Sequence, residues 1–369
     1  MDGVEQEYPQ EDPRRQESTV IRGRGAVTNR ASRFLPTVSV AVDDGWVADE
    51  APPSNPLTTL TPDRTVRLIT RNRSPDIPFD RSINPYKGCE HGCIYCFARP
   101  THAYLDLSPG LDFETRIFFK TNVRRRLHEE LSARRYECRP IAMGTNTDPY
   151  QPAERKRRIT REILEMLLEW RHPVTIVTKS ALVLRDLDLL GEMARLDLVH
   201  VNVSMTTLDR VLKTRLEPRT ASPGARLKTI EALAGAGVPV GAMIAPVIPF
   251  VNDAEIETLV EASAAAGAGA MGYILLRLPA EVGPLFQEWL AEHYPLKAAR
   301  VENAVRQMRG GKLYQAGWGA RMRGAGPMAE LIEKRFARAL TANGIDRDAR
   351  LVELRTDLFR PPGCQASLF

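Results

Sequence analysis

The sequence predicts an α/β fold built on a parallel sheet, because short apolar runs alternate with segments of helical length between about residues 80 and 280. Strands separated by helices of roughly 10–15 residues are typical of βαβ units, which form parallel sheets. Six such strands can be counted, fewer than the eight that close a TIM barrel. Ligands of parallel α/β sheets bind at the carboxyl ends of the strands, so the functional residues are expected there.

The elements of this sheet follow one another along the chain. The first strand is expected at 82–86, directly before a loop that carries three cysteines. A further strand, which is not one of these six, is expected at 113–120, and a charged helix at 123–134. The other strands of the sheet are expected at 140–144, 174–178, 198–204, 238–247 and 271–277. The helices between and after them are expected at 154–170, 183–196, 221–236, 254–266 and 328–340.

The two ends of the chain differ in composition from the α/β region. Residues 1–17 are acidic, polar and rich in Pro and Gln, which favours disorder. Residues 36–62 are rich in Pro and lack a helical period. The predicted organisation is a mostly disordered N-terminal arm (1–35), an extended Pro-rich wrap (36–80), a partial α/β barrel (81–280), a helical C-terminal extension (281–360) and a flexible tail (361–369).

Composition is typical of a cytoplasmic protein. The five cysteines are odd in number and three share one loop, so a disulfide framework is not expected. We expect no membrane partner, because the sequence has no secretory signal and no run of 18 apolar residues. Two basic clusters, 124–126 and 155–158, are either solvated helix faces or a surface that follows a phosphate backbone. A basic arm at 22–34 either contacts nucleic acid or packs across the domain.

The most specific motif is the cysteine loop, in which Cys89, Cys93 and Cys96 follow a Cys-x3-Cys-x2-Cys spacing. Three thiolates can hold three irons of a [4Fe-4S] cluster and leave the fourth iron open to a cofactor or substrate. The alternative is a zinc site formed by these cysteines and His91. That alternative is disfavoured, because all four candidates lie within one eight-residue run and no second Cys/His pair follows at finger spacing.

With this motif the chain resembles the radical S-adenosylmethionine (SAM) superfamily. The resemblance implies a partial (β/α)6 TIM-type barrel of the radical SAM kind, with a [4Fe-4S] cluster on Cys89, Cys93 and Cys96. It implies that the open iron chelates SAM, and that one electron splits SAM into methionine and a 5'-deoxyadenosyl radical. It also implies that Tyr95 lies against the adenine and that a flavodoxin- or ferredoxin-type protein donates the electron.

Polar residues at the ends of the next three strands are candidates for binding SAM. An ammonium group needs several oxygen acceptors, which the turn after the second strand supplies. Alternatively, Asn146 and Asp148 cap the following helix and set the turn before Pro149. Lys179 follows the third strand and would neutralise a carboxylate, and Ser204 ends the fourth. The acceptors in the turn are Thr145, Asn146, Thr147 and Asp148.

Within the superfamily, residues 80–280 most resemble spore photolyase and its relatives, which share the acidic turn before Pro and an Ile-Ala-Pro turn like 244–246. This resemblance implies SAM contacts by Thr147, Lys179 and Ser204. Spore photolyase returns a hydrogen atom from a cysteine at the position that Thr145 occupies here. A hydroxyl is a poor hydrogen-atom donor, so the photolyase reaction itself is not expected. The chain resembles an uncharacterised bacterial branch of the superfamily. The sequence motifs at 84–89 and 99–102 carry this resemblance.

The sequence does not decide the roles of four further sets of residues. Cys138 is expected at the far end of the barrel, and Cys364 lies in the tail. His102 and Tyr104 either transfer protons or radicals at the open face or pack against the cysteine loop. The last residues resemble the peptide by which repair proteins dock on the DNA sliding clamp, with a Gln for a polar pocket and two apolar residues. The alternative is a tail that packs on its own barrel; the residues concerned are Gln365, Leu368 and Phe369.

The sequence therefore predicts a cytoplasmic radical SAM enzyme that acts on nucleic acid, in DNA repair or modification. One alternative is an enzyme of the same superfamily that modifies tRNA or protein. An alternative of another class is a non-catalytic metal-binding module recruited by the clamp.

Overall fold

The computed structural model describes residues 23–34, 57–349 and 351–361. Its strands are β1 (Thr59–Asp63), β2 (Ile69–Arg71), β3 (Arg81–Ile83), β4 (Tyr86–Lys87), β5 (Arg116–Lys120), β6 (Ile141–Met143), β7 (Val174–Thr178), β8 (Val199–Ser204), β9 (Val240–Val247) and β10 (Ala270–Leu275). Its α-helices are α1 (Asp112–Thr115), α2 (Val123–Leu131), α3 (Glu154–Arg157), α4 (Ile159–Glu169), α5 (Leu187–Ala194), α6 (Arg210–Leu216), α7 (Pro223–Gly235), α8 (Ile256–Ala265), α9 (Val282–His293), α10 (Pro295–Met308), α11 (Ala320–Arg323) and α12 (Pro327–Ala342). Three 3-10 segments are Arg99–Leu105, Ala181–Asp186 and Asp253–Glu255.

The main sheet has the strand order β10-β9-β8-β7-β6-β3-β2. From β3 to β10 every neighbouring pair is parallel, which confirms the six-stranded α/β sheet that the sequence predicts. The seventh strand, β2, pairs antiparallel with β3 at the edge. A small second sheet, of order β1-β5-β4, lies beside the cysteine loop.

Some predicted elements differ from those observed. The strand expected at 113–120 begins as helix α1 and becomes a strand only at Arg116. The helix expected at 154–170 is divided at Arg158, whose φ of 56° interrupts the right-handed helix. The segment expected to wrap the surface contains β1 and β2, whose partners are β5 and β3. Such tertiary pairing overrides a local pattern rich in proline.

The core forms between the parallel strands and the helices that cover them. On α4, the buried residues Ile163, Leu164 and Leu167 follow the helical spacing of an apolar stripe that faces the sheet. A second apolar cluster joins α9 to the cysteine loop, where Trp289 packs in the same group as Cys93 and Ile94. The C-terminal extension therefore supports the cysteine loop as well as covering the barrel.

No helix among the described residues is both long enough and apolar enough to cross a membrane.

The turn after β6 constrains Gly144, whose φ is +85°. A Cβ at this position would lie 1.9 Å from the carbonyl oxygen of Val177. We expect Gly144→Ala to lower the free energy of unfolding by on the order of 1–3 kcal/mol, because the strained backbone must shift. Gly191→Ala is the matched control, since its Cβ meets nothing within 4 Å. Chemical denaturation of both variants checks this, and equal midpoints would contradict the strain argument.

We expect His172 to make the free energy of unfolding depend on pH. Its Nε2 lies 2.7 Å from the Tyr136 hydroxyl and its Nδ1 lies 3.0 Å from the Pro173 carbonyl, so the neutral ring satisfies both contacts. Burial lowers the pKa of His172 to about 4. Because the pKa in the folded state lies below the ordinary value of about 6.5, stability is present above pH 6.5 and is lost as the pH falls toward 4.

We expect His172→Gln to flatten the dependence of the melting temperature on pH across this window, whatever its effect at pH 7. His128→Gln replaces an exposed histidine and serves as the control. An unchanged slope in the His172 variant would show that another group titrates.

Candidate functional site

The cysteine loop lies at the carboxyl end of β3, where the sequence places it. Cys89 and Cys93 are buried, Cys96 is partly buried, and all three are free thiols. The backbone of the loop is held from two sides, because the Cys89 amide donates to the Phe113 carbonyl (2.9 Å) and the Ile94 amide donates to the Leu216 carbonyl (3.1 Å). The loop is thus fixed to the segment before β5 and to the end of α6.

The environment of the thiols disfavours bare thiolates. Burial, with the nearby Asp148, raises the pKa of Cys89 well above its ordinary value. Burial, with the nearby Glu217, raises the pKa of Cys93 to about 12. Burial also raises the pKa of Cys96. A bound metal stabilises thiolates in such surroundings, because its positive charge replaces the proton.

The side chains of this loop are not arranged as a tetrahedral zinc site. Tetrahedral zinc needs four ligands at about 2.0–2.3 Å. Within the described residues, no group of three or more His, Cys, Asp or Glu side chains is gathered around one such point. His91, the fourth candidate, is buried with its Nδ1 3.3 Å from Asp148 Oδ2. A four-iron cluster takes each thiolate at a different iron, so the three-thiol donor set suits it better.

Asp148 is a structural link between neighbouring strand ends. Its carboxylate accepts hydrogen bonds from the Thr178 hydroxyl (2.8 Å), the Lys179 amide (2.8 Å) and the Tyr150 amide (2.9 Å). Burial alone would raise the pKa of Asp148, but His91 and these donors hold it at about 2. This arrangement matches the turn-setting alternative for Asp148.

The other side chains of the turn differ in whether they already make a hydrogen bond within the protein. The Thr147 hydroxyl is buried and donates to the Tyr86 carbonyl at 2.9 Å. Thr145 and Asn146 are partly buried, and their side chains make no hydrogen bond within the described part of the chain. The cofactor contacts expected of this turn stay predictions, and Thr145 and Asn146 are the side chains best able to make them.

Lys179 brings a positive charge to the cysteine loop. Its Nζ lies 6.0 Å from the centroid of the Tyr95 ring. Burial works against the ammonium form, but Cys93 and Glu217 attract it strongly enough to keep the pKa of Lys179 above its ordinary value. A carboxylate that entered beside the loop would meet this ammonium group.

The sequence does not predict the buried hydrogen-bond network around the Tyr95 hydroxyl. Glu217 accepts hydrogen bonds from the Tyr95 hydroxyl, from the Thr206 hydroxyl (2.7 Å) and from Arg226. Burial alone would raise the pKa of Glu217, but Arg226 and Lys179 hold it at about 2. Arg226 also donates to the Ser204 carbonyl at 2.8 Å. No local motif marks this network, since its members come from separate elements.

Comparison with known proteins identifies this architecture. The family model of the radical SAM superfamily matches residues 83–262. An uncharacterized protein of Mycobacterium tuberculosis strain H37Rv is 40% identical over 233 residues, which cover 63% of this chain and 68% of that protein. The chain belongs to the radical SAM superfamily. Membership implies an enzyme that uses a [4Fe-4S] cluster and SAM.

Other relatives of this radical SAM protein are more distant. An uncharacterized protein of Methanocaldococcus jannaschii is 30% identical over 173 residues, covering 47% of this chain and 62% of that protein. Spore photoproduct lyase in complex with a dinucleoside spore photoproduct has 17% identity and a TM-score of 0.55, covering 77% of this chain and 79% of that chain. A double mutant of the lyase, with bound AdoMet and the same dinucleoside, has the same identity, TM-score and coverage. At this identity the similarity shows the fold.

The structure places the remaining candidates of this radical SAM protein. Ser204 is buried, with its hydroxyl 3.4 Å from the Ala245 carbonyl. His102 is buried and its Nε2 lies 3.0 Å from the Arg116 carbonyl, which fits the packing alternative. Cys138 precedes β6, at the end of the sheet away from the cysteine loop. Cys364, Gln365, Leu368 and Phe369 lie outside the described residues.

The basic cluster at 124–126 is largely neutralised. Arg125 and Arg126 both pair with Glu129 at 2.5 Å, and Arg124 lies 3.5 Å from Glu169. These pairs match the solvated-helix alternative for 124–126. In the N-terminal arm, Arg30 pairs with Glu288, which fits packing across the domain.

The N-terminal segment also fastens the cysteine loop. Glu114 accepts hydrogen bonds from the Gly25 amide (3.0 Å) and the Ala26 amide (2.8 Å), and it pairs with Arg99. A Cβ on Gly25 would lie 1.8 Å from the Gly92 carbonyl oxygen. Residues 23–34 therefore pack directly on the cysteine loop, which only a glycine at position 25 permits.

We expect Gly25→Ala to displace this segment and to reduce the iron bound per chain after anaerobic reconstitution, with a loss of stability on the order of 1–3 kcal/mol. Ala31→Ser changes an exposed residue of the same segment and is the control. Iron analysis and thermal unfolding check the result. Full iron loading in the Gly25 variant would show that the cysteine loop is rigid without this contact.

Proposed function

We propose that this radical SAM protein holds a [4Fe-4S] cluster on Cys89, Cys93 and Cys96, binds SAM beside it, and acts on nucleic acid. One observation carries the proposal. Three free thiols lie in one largely buried loop at the carboxyl end of the parallel strands, and the Lys179 ammonium group lies beside them. When bound, the reduced cluster supplies the electron that cleaves SAM into methionine and a 5'-deoxyadenosyl radical.

The chain's own residues would hold and orient the cofactor. Lys179 offers a cation to the SAM carboxylate, and its backbone is fixed because the amide donates to Asp148. Tyr95 offers an aromatic face, and its hydroxyl is tied to Glu217, so the ring has little freedom to turn away. Thr145 and Asn146 offer oxygen acceptors to the SAM ammonium group. Thr147, Asp148 and Ser204 connect neighbouring strand ends of this site through their hydrogen bonds.

The nucleic-acid substrate is supported by the fold shared with spore photoproduct lyase, a protein whose structure is known with a dinucleoside spore photoproduct. We propose DNA repair or modification as the biological role, with a flavodoxin- or ferredoxin-type electron donor in the cytoplasm. The proposed reaction differs from that of spore photolyase, which uses a cysteine as its hydrogen-atom donor. Thr145 occupies that position of the turn in this chain. Among the described cysteines outside the loop, Cys138 lies at the opposite end of the sheet.

The tail residues Gln365, Leu368 and Phe369 extend this proposal to recruitment by the DNA sliding clamp. A pull-down with the clamp, comparing the full chain with a tail-deleted chain, would test this part separately from the chemistry.

The chemistry is tested by replacing each loop cysteine in turn with serine. After anaerobic reconstitution, we expect wild-type protein to show the brown absorption of an iron-sulfur cluster and to form 5'-deoxyadenosine from SAM and dithionite. Each loop variant is expected to lose both properties, because a missing thiolate leaves the cluster with two protein ligands. Cys138→Ser is the matched control and should retain both.

Two results would contradict the proposal. A colourless wild-type protein that binds zinc would support a metal-binding module. A coloured protein that forms no 5'-deoxyadenosine would exclude SAM cleavage.

A further inference from the structure

Arg277 lies over the residue that follows the last cysteine of the loop. It comes shortly after β10, at the carboxyl end of the sheet. Its Cζ lies 5.0 Å from the centroid of the Phe97 ring, and Phe97 follows Cys96. Phe97 is 45% exposed. A guanidinium and an accessible ring thus lie together beside the loop that carries the thiols.

This guanidinium has no anionic partner among the described residues. Within the described part of the chain, its Nε is buried without a hydrogen bond, and its Nη1 donates to the sulfur of Met322, at 3.5 Å. A thioether is a weak acceptor. Two buried arginines of the site are paired, by contrast, since Arg99 contacts Glu114 and Arg226 contacts Glu217. A partly desolvated guanidinium without a carboxylate is costly unless a ligand supplies the negative charge.

Arg309 fixes the backbone directly before Arg277. It is buried and donates to the Leu276 carbonyl at 2.9 Å and to the Ala320 carbonyl at 2.5 Å, which fixes the end of β10 against the C-terminal extension. Burial, together with the nearby Arg277 charge, lowers the pKa of Arg309 to about 10. Two guanidinium groups therefore give this corner a positive potential that favours an anion.

Two more exposed aromatic rings belong to segments that adjoin this site. Trp318 is 59% exposed, with Arg321 at 4.6 Å from its centroid, and it lies in the segment that also contributes Met322. Arg321 itself pairs with Asp76 at 2.5 Å, so its charge is already balanced and Arg277 is the cation that this inference uses. Tyr104 is 71% exposed and belongs to the 3-10 segment that follows the cysteine loop. Accessible rings interleaved with cations are typical of surfaces that bind unpaired bases by stacking and phosphates by charge.

We propose that Arg277 and Phe97 form a subsite for one unpaired nucleotide of a single-stranded nucleic acid, in which the guanidinium receives a phosphate and the ring stacks on the base. This inference rests on the proposed function and specifies that the nucleic-acid substrate is single-stranded at this site. SAM also carries a carboxylate, but Lys179 already places a cation beside Tyr95 for that group. DNA and RNA share the phosphate and the stacking base, so the experiment compares them.

The test measures binding of short fluorescent DNA and RNA strands, and of the matching duplex, to the reconstituted protein over a series of salt concentrations. We expect tighter binding of a single strand than of the duplex. Arg277→Gln should weaken single-strand binding about tenfold and reduce the slope of log affinity against log salt by about 0.7, the value for one lost phosphate contact. Arg277→Lys should restore the slope, because it keeps the charge.

Phe97→Ala should weaken binding by a similar factor and leave the salt slope unchanged, because stacking carries no charge. Arg195→Gln is the matched control, since Arg195 is exposed beyond α5 and precedes β8 at the opposite end of the sheet. Iron content is measured for every variant, and Phe97→Leu replaces Phe97→Ala if the latter fails to load.

Three outcomes that compare strands or variants would overturn the inference. They are duplex binding as tight as single-strand binding, an unchanged affinity in Arg277→Gln, and a loss of SAM affinity in that variant while strand affinity stays constant. Formation of 5'-deoxyadenosine by wild-type protein that binds no strand would reject this subsite and leave the SAM chemistry standing. Preference for DNA or for RNA supports the subsite and identifies the sugar.

Discussion

The buried ion pair between Arg99 and Glu114 is the constraint on which the cysteine loop depends. Both side chains are fully buried and lie 2.5 Å apart. Removing two charges from water is favourable only when their remaining hydrogen-bonding groups are satisfied. Arg99 meets this condition by donating to carbonyls of Gly92 and Cys93 in the loop, and Glu114 does so by accepting the amides of 25 and 26. One ion pair therefore connects the thiol-bearing backbone to a segment that lies far earlier in the chain.

At the carboxyl ends of the strands, the carboxylates are bound by other residues of the protein, whereas two cations have fewer partners. The carboxylates of Asp148 and Glu217 have pKa values of about 2 because cations and donors surround them, so they serve as anchors for other residues. Lys179 and Arg277 have fewer internal commitments and lie beside the cysteine loop. A site that offers cations and keeps its carboxylates occupied is suited to anionic groups, such as a carboxylate or a phosphate.

The sequence predicts the sheet well because its signals are local. The runs at 174–178 and 198–204 are apolar, separated by a helix, and occur as β7 and β8 with nearly the same bounds. The cysteine spacing likewise locates the loop. The pairing of Glu217 with Arg226 could not be predicted, since a buried ion pair has the same composition as an exposed one. The packing of Gly25 on Gly92 depends on contact between residues far apart in sequence, which no local pattern records.

We propose that three thiols leave one iron of a four-iron cluster free to bind SAM. Electron paramagnetic resonance of anaerobically reconstituted, dithionite-reduced protein, recorded with and without SAM, tests this most directly. We predict the signal of a reduced four-iron cluster whose shape changes when SAM is added, because the cofactor alters the coordination of one iron. A signal that saturating SAM leaves unchanged, or the absence of any cluster signal, would contradict the account.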